Sequence, residues 1–291
     1  MSLVEQTIAR LKRRYDTGSA SPLDNRSPHG GPPVPAVDLE DTASLARQIA
    51  VDNAALRAQG YFPEQDKDRQ FADQYRRIKR PLVEKAIAGT AAIGEPRVIM
   101  VTSALPGDGK TFTSINLALS MALERDMSVL LIDADVPKRH VTDIFGLNEY
   151  VGLLDVLVDD NVEIESAIVP TTTRGLSILP AGKPVAGTSE LLSSARMRRI
   201  IANLSARYPR RILLLDSSPL LVANEGRSLL NMAGQVVLVV RAGKTPKEAV
   251  EAALQLLDAR QAGGVVLNDV QGGFAEDYYA YGSYGTDVAP T

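Results

Sequence analysis

The 291-residue chain has no cysteine and no tryptophan, and only 5% of it is aromatic. The missing cysteines exclude disulfides, thiolate metal sites and a cysteine nucleophile, and they suit a reducing compartment. The formal net charge of −3 lacks the basic excess of a dedicated nucleic-acid binder, so no nucleic-acid partner is expected. No apolar run approaches the ~20 residues of a membrane-spanning helix, and the charged N-terminus does not read as a secretory signal. A cytoplasmic protein is the expectation. What the chain does have is 45% hydrophobic content, enough for one large α/β core with a smaller appendage.

The organising stretch begins at Val98. Val98-I-M-V-T is short, β-branched and apolar on both faces, as a central strand of a parallel sheet requires, and Pro106-G-D-G turns sharply into an apolar helix. Gly107 and Gly109 let the backbone bend so that successive N–H groups face phosphate oxygens, with the helix dipole behind them. Lys110 then reaches the β- and γ-phosphates, and Thr111 places its hydroxyl on Mg²⁺. The nucleotide cradle is expected to comprise Gly107, Asp108, Gly109, Lys110, Thr111 and Phe112. The P-loop pattern G-x-x-x-x-G-K-[ST] carries glycine where this chain has Ala104, so an ordinary strand-to-helix turn is the alternative.

Two more buried runs strengthen the nucleotide reading. Val129-L-L-I-D-A-D ends in two carboxylates and Arg211-I-L-L-L-D in one. Ligands of open α/β sheets bind at the C-terminal ends of strands, so Asp133, Asp135 and Asp216 are expected to converge on a metal beside Lys110. The alternative is that strand-end aspartates cap helices or turns.

Along the rest of the chain, Leu3, Val4, Ile8, Leu11 and Tyr15 fall at helical spacing beside a basic cluster, predicting a short amphipathic helix that docks on the chain, a partner or an anionic membrane. Asp16 to Ala36 is a Pro/Gly/Ser-rich linker. Helices are expected over Thr42–Gln59 and Gln65–Ile87, with a kink or boundary at Pro81. Within the second, Asp73, Arg76 and Lys79 line up at three-residue intervals, a solvated face on the simplest reading. Alternating strands and helices follow to Asn268, predicting six or seven parallel strands in a three-layer α/β/α sandwich. The last stretch, Gln271 to Thr291, is a Gly/Ser/Tyr segment with no amphipathic period and holds Tyr278, Tyr279, Tyr281 and Tyr284. With a nucleotide site upstream, those hydroxyls become candidate phosphoryl acceptors. The expected organisation is an N-terminal extension over 1–66, a P-loop domain over 67–270 and a tail over 271–291.

The motifs S-A-L-P-G-D-G-K-T, L-L-I-D-A-D and L-L-L-D-S-S-P, with a terminal tyrosine cluster, together resemble the bacterial tyrosine kinases of polysaccharide export. Arg76-R-I-K-R-P after an N-terminal extension resembles their exosortase-associated branch. The resemblance implies ATP and Mg²⁺ as substrate and cofactor, with Thr111, Asp135 and Asp216 holding the metal. It implies autophosphorylation of the tail of a neighbouring subunit in a homo-oligomeric ring. A membrane-bound chain-length protein would be the activator and recruit the kinase to the inner membrane face, and a tyrosine phosphatase would reverse the reaction. Asp73, Arg76 and Lys79 stand where the family carries an E-x-x-R-x-x-R interface helix, two of the three differing in residue type. Asn268 resembles the adenine-reading asparagine of the superfamily, and is otherwise a turn residue. Ser218 stands where a second proline is common.

Lys110, Asp133 and Asp135 are the expected catalytic residues. Asp133 is the first choice to accept the phenol proton, with Asp135 able to exchange that role. Two other readings remain open: a P-loop ATPase switch related to chromosome- and septum-positioning ATPases, and a nucleotide-sensing scaffold. The signature lysine of the former is Leu105 here.

Overall fold

Four apolar runs, Val98–Val101, Val129–Ile132, Ile212–Leu215 and Val236–Val240, are buried along their whole length. Strands apolar on both faces need helices on both, and these runs lie at the centre of such a sandwich. The computed structural model describes residues 48–61, 68–89, 91 and 93–270. The amphipathic N-terminal stretch, the linker and the tyrosine cluster lie outside them.

The strands are β1 (Glu95–Ser103), β2 (Ser128–Ala134), β3 (Val169–Pro170), β4 (Leu176–Leu179), β5 (Arg211–Ser217), β6 (Ala233–Arg241) and β7 (Ala262–Asn268). Their order in the sheet is β3-β4-β2-β5-β1-β6-β7. Neighbours run parallel except the two-residue edge strand β3, which meets β4 antiparallel. Pro170, which lacks an N–H, sits on that edge, where a missing donor costs little.

Alternation along the strands decides which way the acids point. Leu130 and Ile132 of β2, and Leu213 and Leu215 of β5, enter the core on one face of the sheet. Val129 and Leu131, and Ile212 and Leu214, enter the core on the other, beneath helix α3 (Lys110–Met121). Asp133 continues the second series on β2 and Asp216 continues it on β5, and the register pairs the two directly. A one-residue slip would have turned both away from α3.

Upstream of β1 lie α1 (Asn53–Ala58) and α2 (Asp68–Ala88). The helix expected over Thr42–Gln59 is shorter: Asp52 caps α1, its Oδ1 accepting from the Ala54 and Ala55 N–H groups at 2.9 Å each. Before it, Ile49 bridges in parallel to Thr171. The compact unit begins at Gln48, ahead of the boundary expected at 66/67, because Ile49, Leu56 and Tyr61 join the core beneath α2 and α3. Pro81 neither ends nor interrupts α2, which continues to Ala88. Buried Tyr75 and Lys79 before it, and Leu82, Val83 and Ala86 after it, hold both halves to the sheet.

Downstream, α4 (His140–Ile144) follows β2, α5 (Leu153–Val158) and α6 (Ile164–Ala167) precede β3, and α7 (Thr188–Ser193) and α8 (Ala195–Arg207) lead into β5. Then α9 (Asn224–Leu229) leads to β6 and α10 (Lys247–Gln255) to β7.

Candidate active site

The turn between β1 and α3 is built around two left-handed glycines. Gly107 has φ 86° and open space where a Cβ would stand; Gly109 has φ 96°, and a Cβ there would lie 1.9 Å from Asn268 Nδ2. Only glycine fits the second position. Asn268 donates from Nδ2 to the Asp108 carbonyl at 3.0 Å, so it braces the loop as well as lining the cleft. Asp108 turns its carboxylate inward, accepting from the Leu105 N–H at 3.0 Å and the Thr245 hydroxyl at 2.7 Å. Its side chain therefore shapes the loop, leaving the backbone N–H as what it can offer a phosphate. Gly109 gives α3 no side-chain cap, and the first turn's bonding starts with the Thr113 N–H donating to the Gly109 carbonyl at 2.9 Å. The N–H groups ahead of that bond have no intrahelical acceptor, which makes this end of α3 an anion site.

Thr111 donates to Asp216 Oδ2 at 2.7 Å, and Ser114, one turn along, donates to Asp216 Oδ1 at 3.0 Å. Lys110 Nζ lies 2.5 Å from Asp135 Oδ2, and the Ser218 hydroxyl donates to Asp135 Oδ1 at 2.6 Å. Asp133 Oδ2 accepts from both the N–H and the hydroxyl of Thr142, at 2.8 and 2.7 Å. Its other oxygen, Oδ1, is buried without a partner.

Burial governs the protonation of these groups. It is the main influence raising Asp133 to about 7, reinforced by Asp216 and opposed by the Thr142 bonds. Burial likewise raises Asp216, against the pull of Lys110 and Thr111. For Lys110, burial by itself favours the neutral amine, but Asp216, Asp135 and Asp133 together outweigh it and the ammonium is stabilised.

Among the described residues, no group of three His, Cys, Asp or Glu side chains forms a metal cage. The expected convergence of three carboxylates on one ion is thus replaced by a looser set. Hard oxygen donors are nonetheless in place: the Thr111 hydroxyl, Asp216, Asp135 and the unpartnered Asp133 Oδ1. Mg²⁺ characteristically takes one or two carboxylates and completes its octahedron with phosphate and water, so this donor set fits it.

Phe112 faces two ways. With Gly107, Arg241, Asn268 and Asp269 it lines an open cleft of about 420 Å³, and its ring stacks on Tyr61 at 5.6 Å and meets Phe71 edge-on at 6.2 Å. Burial, with Asp216 second, raises the Tyr61 phenol to about 12. Among the cleft residues Arg241 pairs with Asp269 at 2.8 Å.

The three-residue line on α2 divides. Asp73 and Arg76 are exposed and pair with each other at 2.8 Å. Lys79 is buried, donating to the Ser120 carbonyl and pairing with Glu124, both at 2.7 Å. It caps the C-terminal end of the P-loop helix, where a cation is favoured, and does not share a solvent face with the other two. Sequence reasoning missed Ser114, Thr142 and Thr245; only Ser114, four residues after Lys110 on one helix, had a spacing that could have revealed it.

An AAA-domain family profile matches residues 96–262. Over 217 residues the chain is 34% identical to the tyrosine-protein kinase YwqD of Bacillus subtilis, covering 74% of this chain and 86% of that one. The chain belongs to the bacterial tyrosine-protein kinases. It is also 34% identical over 189 residues to the tyrosine-protein kinase Wzc of Salmonella typhimurium, covering 64% of this chain and 26% of that longer protein. Among solved structures, the VpsO kinase domain superposes with a TM-score of 0.58 at 28% identity, over 72% of this chain and all of that one. The Escherichia coli Etk kinase domain gives 0.54 at 26% identity, over 65% of this chain and 72% of that one. The family implies a nucleotide-binding P-loop.

Proposed function

We propose that the protein is an autokinase that transfers the γ-phosphoryl group of Mg·ATP to Tyr278, Tyr279, Tyr281 and Tyr284 of a neighbouring copy. The observation that carries the reading is the meeting of the P-loop residues Lys110 and Thr111 with Asp135 and Asp216 in a chain that also carries a tyrosine cluster. Gly107 to Phe112 cradle the phosphates through backbone N–H groups, and Lys110 neutralises the charge that grows on the transferred group. Thr111, Asp135 and Asp216 would hold Mg²⁺, which when bound screens the phosphate charge and fixes its orientation. The tyrosine oxygen bonds to γ-phosphorus as the bond to the β–γ bridging oxygen breaks, and ADP departs. Asp133 would take the phenol proton: its folded pKa of about 7 suits proton acceptance near neutrality, and its Oδ1 has no hydrogen-bond partner among the described residues. Asp135, occupied by Lys110 and Ser218, serves the lysine and the metal.

Asp73 and Arg76, on the exposed face of α2, are the proposed contact between copies of a ring. The physiological setting is polysaccharide export in the manner of the exosortase-associated branch. There a membrane-bound chain-length protein activates and recruits the kinase on the cytoplasmic side, and a tyrosine phosphatase resets it. Among the described residues no helix is long and apolar enough to cross a membrane. Incubating the purified protein with Mg·ATP and locating phosphate by mass spectrometry tests the central claim. Phosphate on the tail is expected, and it should be lost when the four tail tyrosines become phenylalanine while ATP binding persists. ATP hydrolysis with an unmodified tail would favour a switch ATPase, and binding without turnover a nucleotide-sensing scaffold.

A further inference from the structure

The rim beside the catalytic acids carries cations that neither the nucleotide site nor the fold uses. Directly after Asp135 the chain turns back on itself, the Lys138 and Arg139 N–H groups donating to the Asp135 carbonyl at 2.9 and 2.8 Å. Arg139 takes a left-handed φ of 49°, unusual for a residue with a Cβ. Its guanidinium crosses to the loop after β4 and donates to the Gly182 carbonyl at 3.1 Å. That bond ties the loop that carries Lys183, the next residue, to the turn that carries Lys138. Lys183 is itself tethered through its N–H to Asp155 Oδ2 at 3.3 Å, an oxygen that also accepts from the Gly152 N–H at 2.9 Å. The Lys138 and Lys183 side chains are exposed and have no ion-pair or hydrogen-bond partner among the described residues. His140, two residues after Lys138, is also exposed, and Asp143, on α4, is the nearest exposed acid to Lys138 along the chain.

Two solvated ammonium groups, held by a bonded pair of loops at the mouth of an acidic phosphoryl-transfer site, suit an anionic segment entering beside them. The chain has such a segment. Glu276 and Asp277 immediately precede Tyr278 and Tyr279, and two residues of extended chain span about 7 Å. A tyrosine aimed at Asp133 and Asp135 would keep its acidic pair within that reach of the site, where rim cations could meet it while the buried carboxylates would repel it.

We propose that Lys138 and Lys183 form the acceptor-recognition rim of this kinase, selecting the tail of a second copy through the acidic residues Glu276 and Asp277 that precede its tyrosines. This rests on the tail-phosphorylation reading above. Lys138 and Lys183 act as specificity determinants, setting how well the acceptor is captured and leaving nucleotide binding unaltered.

A charge exchange tests it. The donor is full-length kinase with its four tail tyrosines changed to phenylalanine; the acceptor is full-length Lys110→Met with a native tail, present below saturation. Glu276→Lys with Asp277→Lys in the acceptor should lower kcat/KM for tail phosphorylation about tenfold at low salt, and Lys138→Glu with Lys183→Glu in the donor should do the same. The two reversals combined should regain most of the rate, and added salt should flatten all the differences. If the reversed donor no longer binds Mg·ATP, a Lys138→Gln, Lys183→Gln donor replaces it and should lose its preference between native and reversed acceptors. An undiminished rate on the reversed acceptor, or no regain from the paired reversals, overturns the rim while leaving tail phosphorylation standing. Absence of phosphate from the native pair removes the tail reading, and the rim falls with it.

Discussion

Lys110 Nζ rests 2.5 Å from Asp135 Oδ2, and Ser218 holds the other oxygen of the same carboxylate at 2.6 Å. The residue expected to meet the β- and γ-phosphates is therefore already neutralised by one of the acids expected to hold the metal. On the proposed reading, bound nucleotide would compete with Asp135 for the ammonium, and Mg²⁺ held there would compete with the ammonium for Asp135.

Lys110→Ala should abolish phosphoryl transfer and also weaken the fold, because it leaves Asp135 buried with its countercharge removed. A loss of about 3 kcal/mol is expected at neutral pH, read from urea denaturation. Adding Asp135→Asn should recover most of that stability and none of the activity. Unchanged stability in the single variant would mean that the pair contributes nothing to folding.

Asp133 titrates at about 7 in the folded chain, against 3.8 unperturbed. Between those values the folded state holds a proton that the unfolded state has released, so this residue makes stability fall as pH rises from about 4 to 7, the full penalty remaining above 7. Asp133→Asn mimics the protonated form and should remove that slope. The variant should gain on wild type by a few kcal/mol, roughly, at pH 8 and be close to it at pH 4. Denaturation midpoints at both pH values decide the matter.

Lys79 and Arg76 should separate cleanly. Lys79→Ala strips the Ser120 carbonyl and Glu124 of their buried partner and should cost about 1–3 kcal/mol. Arg76→Ala breaks only an exposed pair and should leave stability within about 0.5 kcal/mol, while weakening self-association in sedimentation. Equal association of wild type and Arg76→Ala would remove that face of α2 from the proposed ring contact.

Gly109→Ala should impair nucleotide binding even though it adds one methyl group, since the Cβ would meet Asn268 Nδ2 and the φ of 96° disfavours any side chain. Asn268→Ala in the same chain removes the collision and leaves the strain, so partial recovery of ATP affinity by calorimetry is expected. Full recovery would show that the collision was the entire cost.

The architecture was legible because it depends on local signals. Runs that are apolar on both faces become central parallel strands wherever they sit in the chain, and glycines before Lys110 turn into a helix through their own backbone freedom. Of the two outcomes expected at Pro81, a kink or a boundary, tertiary packing removes the boundary: Pro81 stays inside α2 because burial on both sides of it outweighs one missing hydrogen bond.

The sequence by itself determined that acids end β2 and β5 near a phosphate-binding turn, since strand-end position follows from the apolar pattern alone. Which acid does what was decided only by the tertiary structure. Asp135 pairs with Lys110, Asp216 takes Thr111 and Ser114, and Asp133 is left with an unpartnered oxygen, because strand register sets two of them beneath α3 and a turn carries the third beyond the strand. The same holds for Lys79. Three-residue spacing placed it beside Arg76, but a helix turns 100° per residue, so three steps fall short of a full turn. In this fold that drift carries Lys79 inward to Ser120 and Glu124, while Asp73 and Arg76 stay in water.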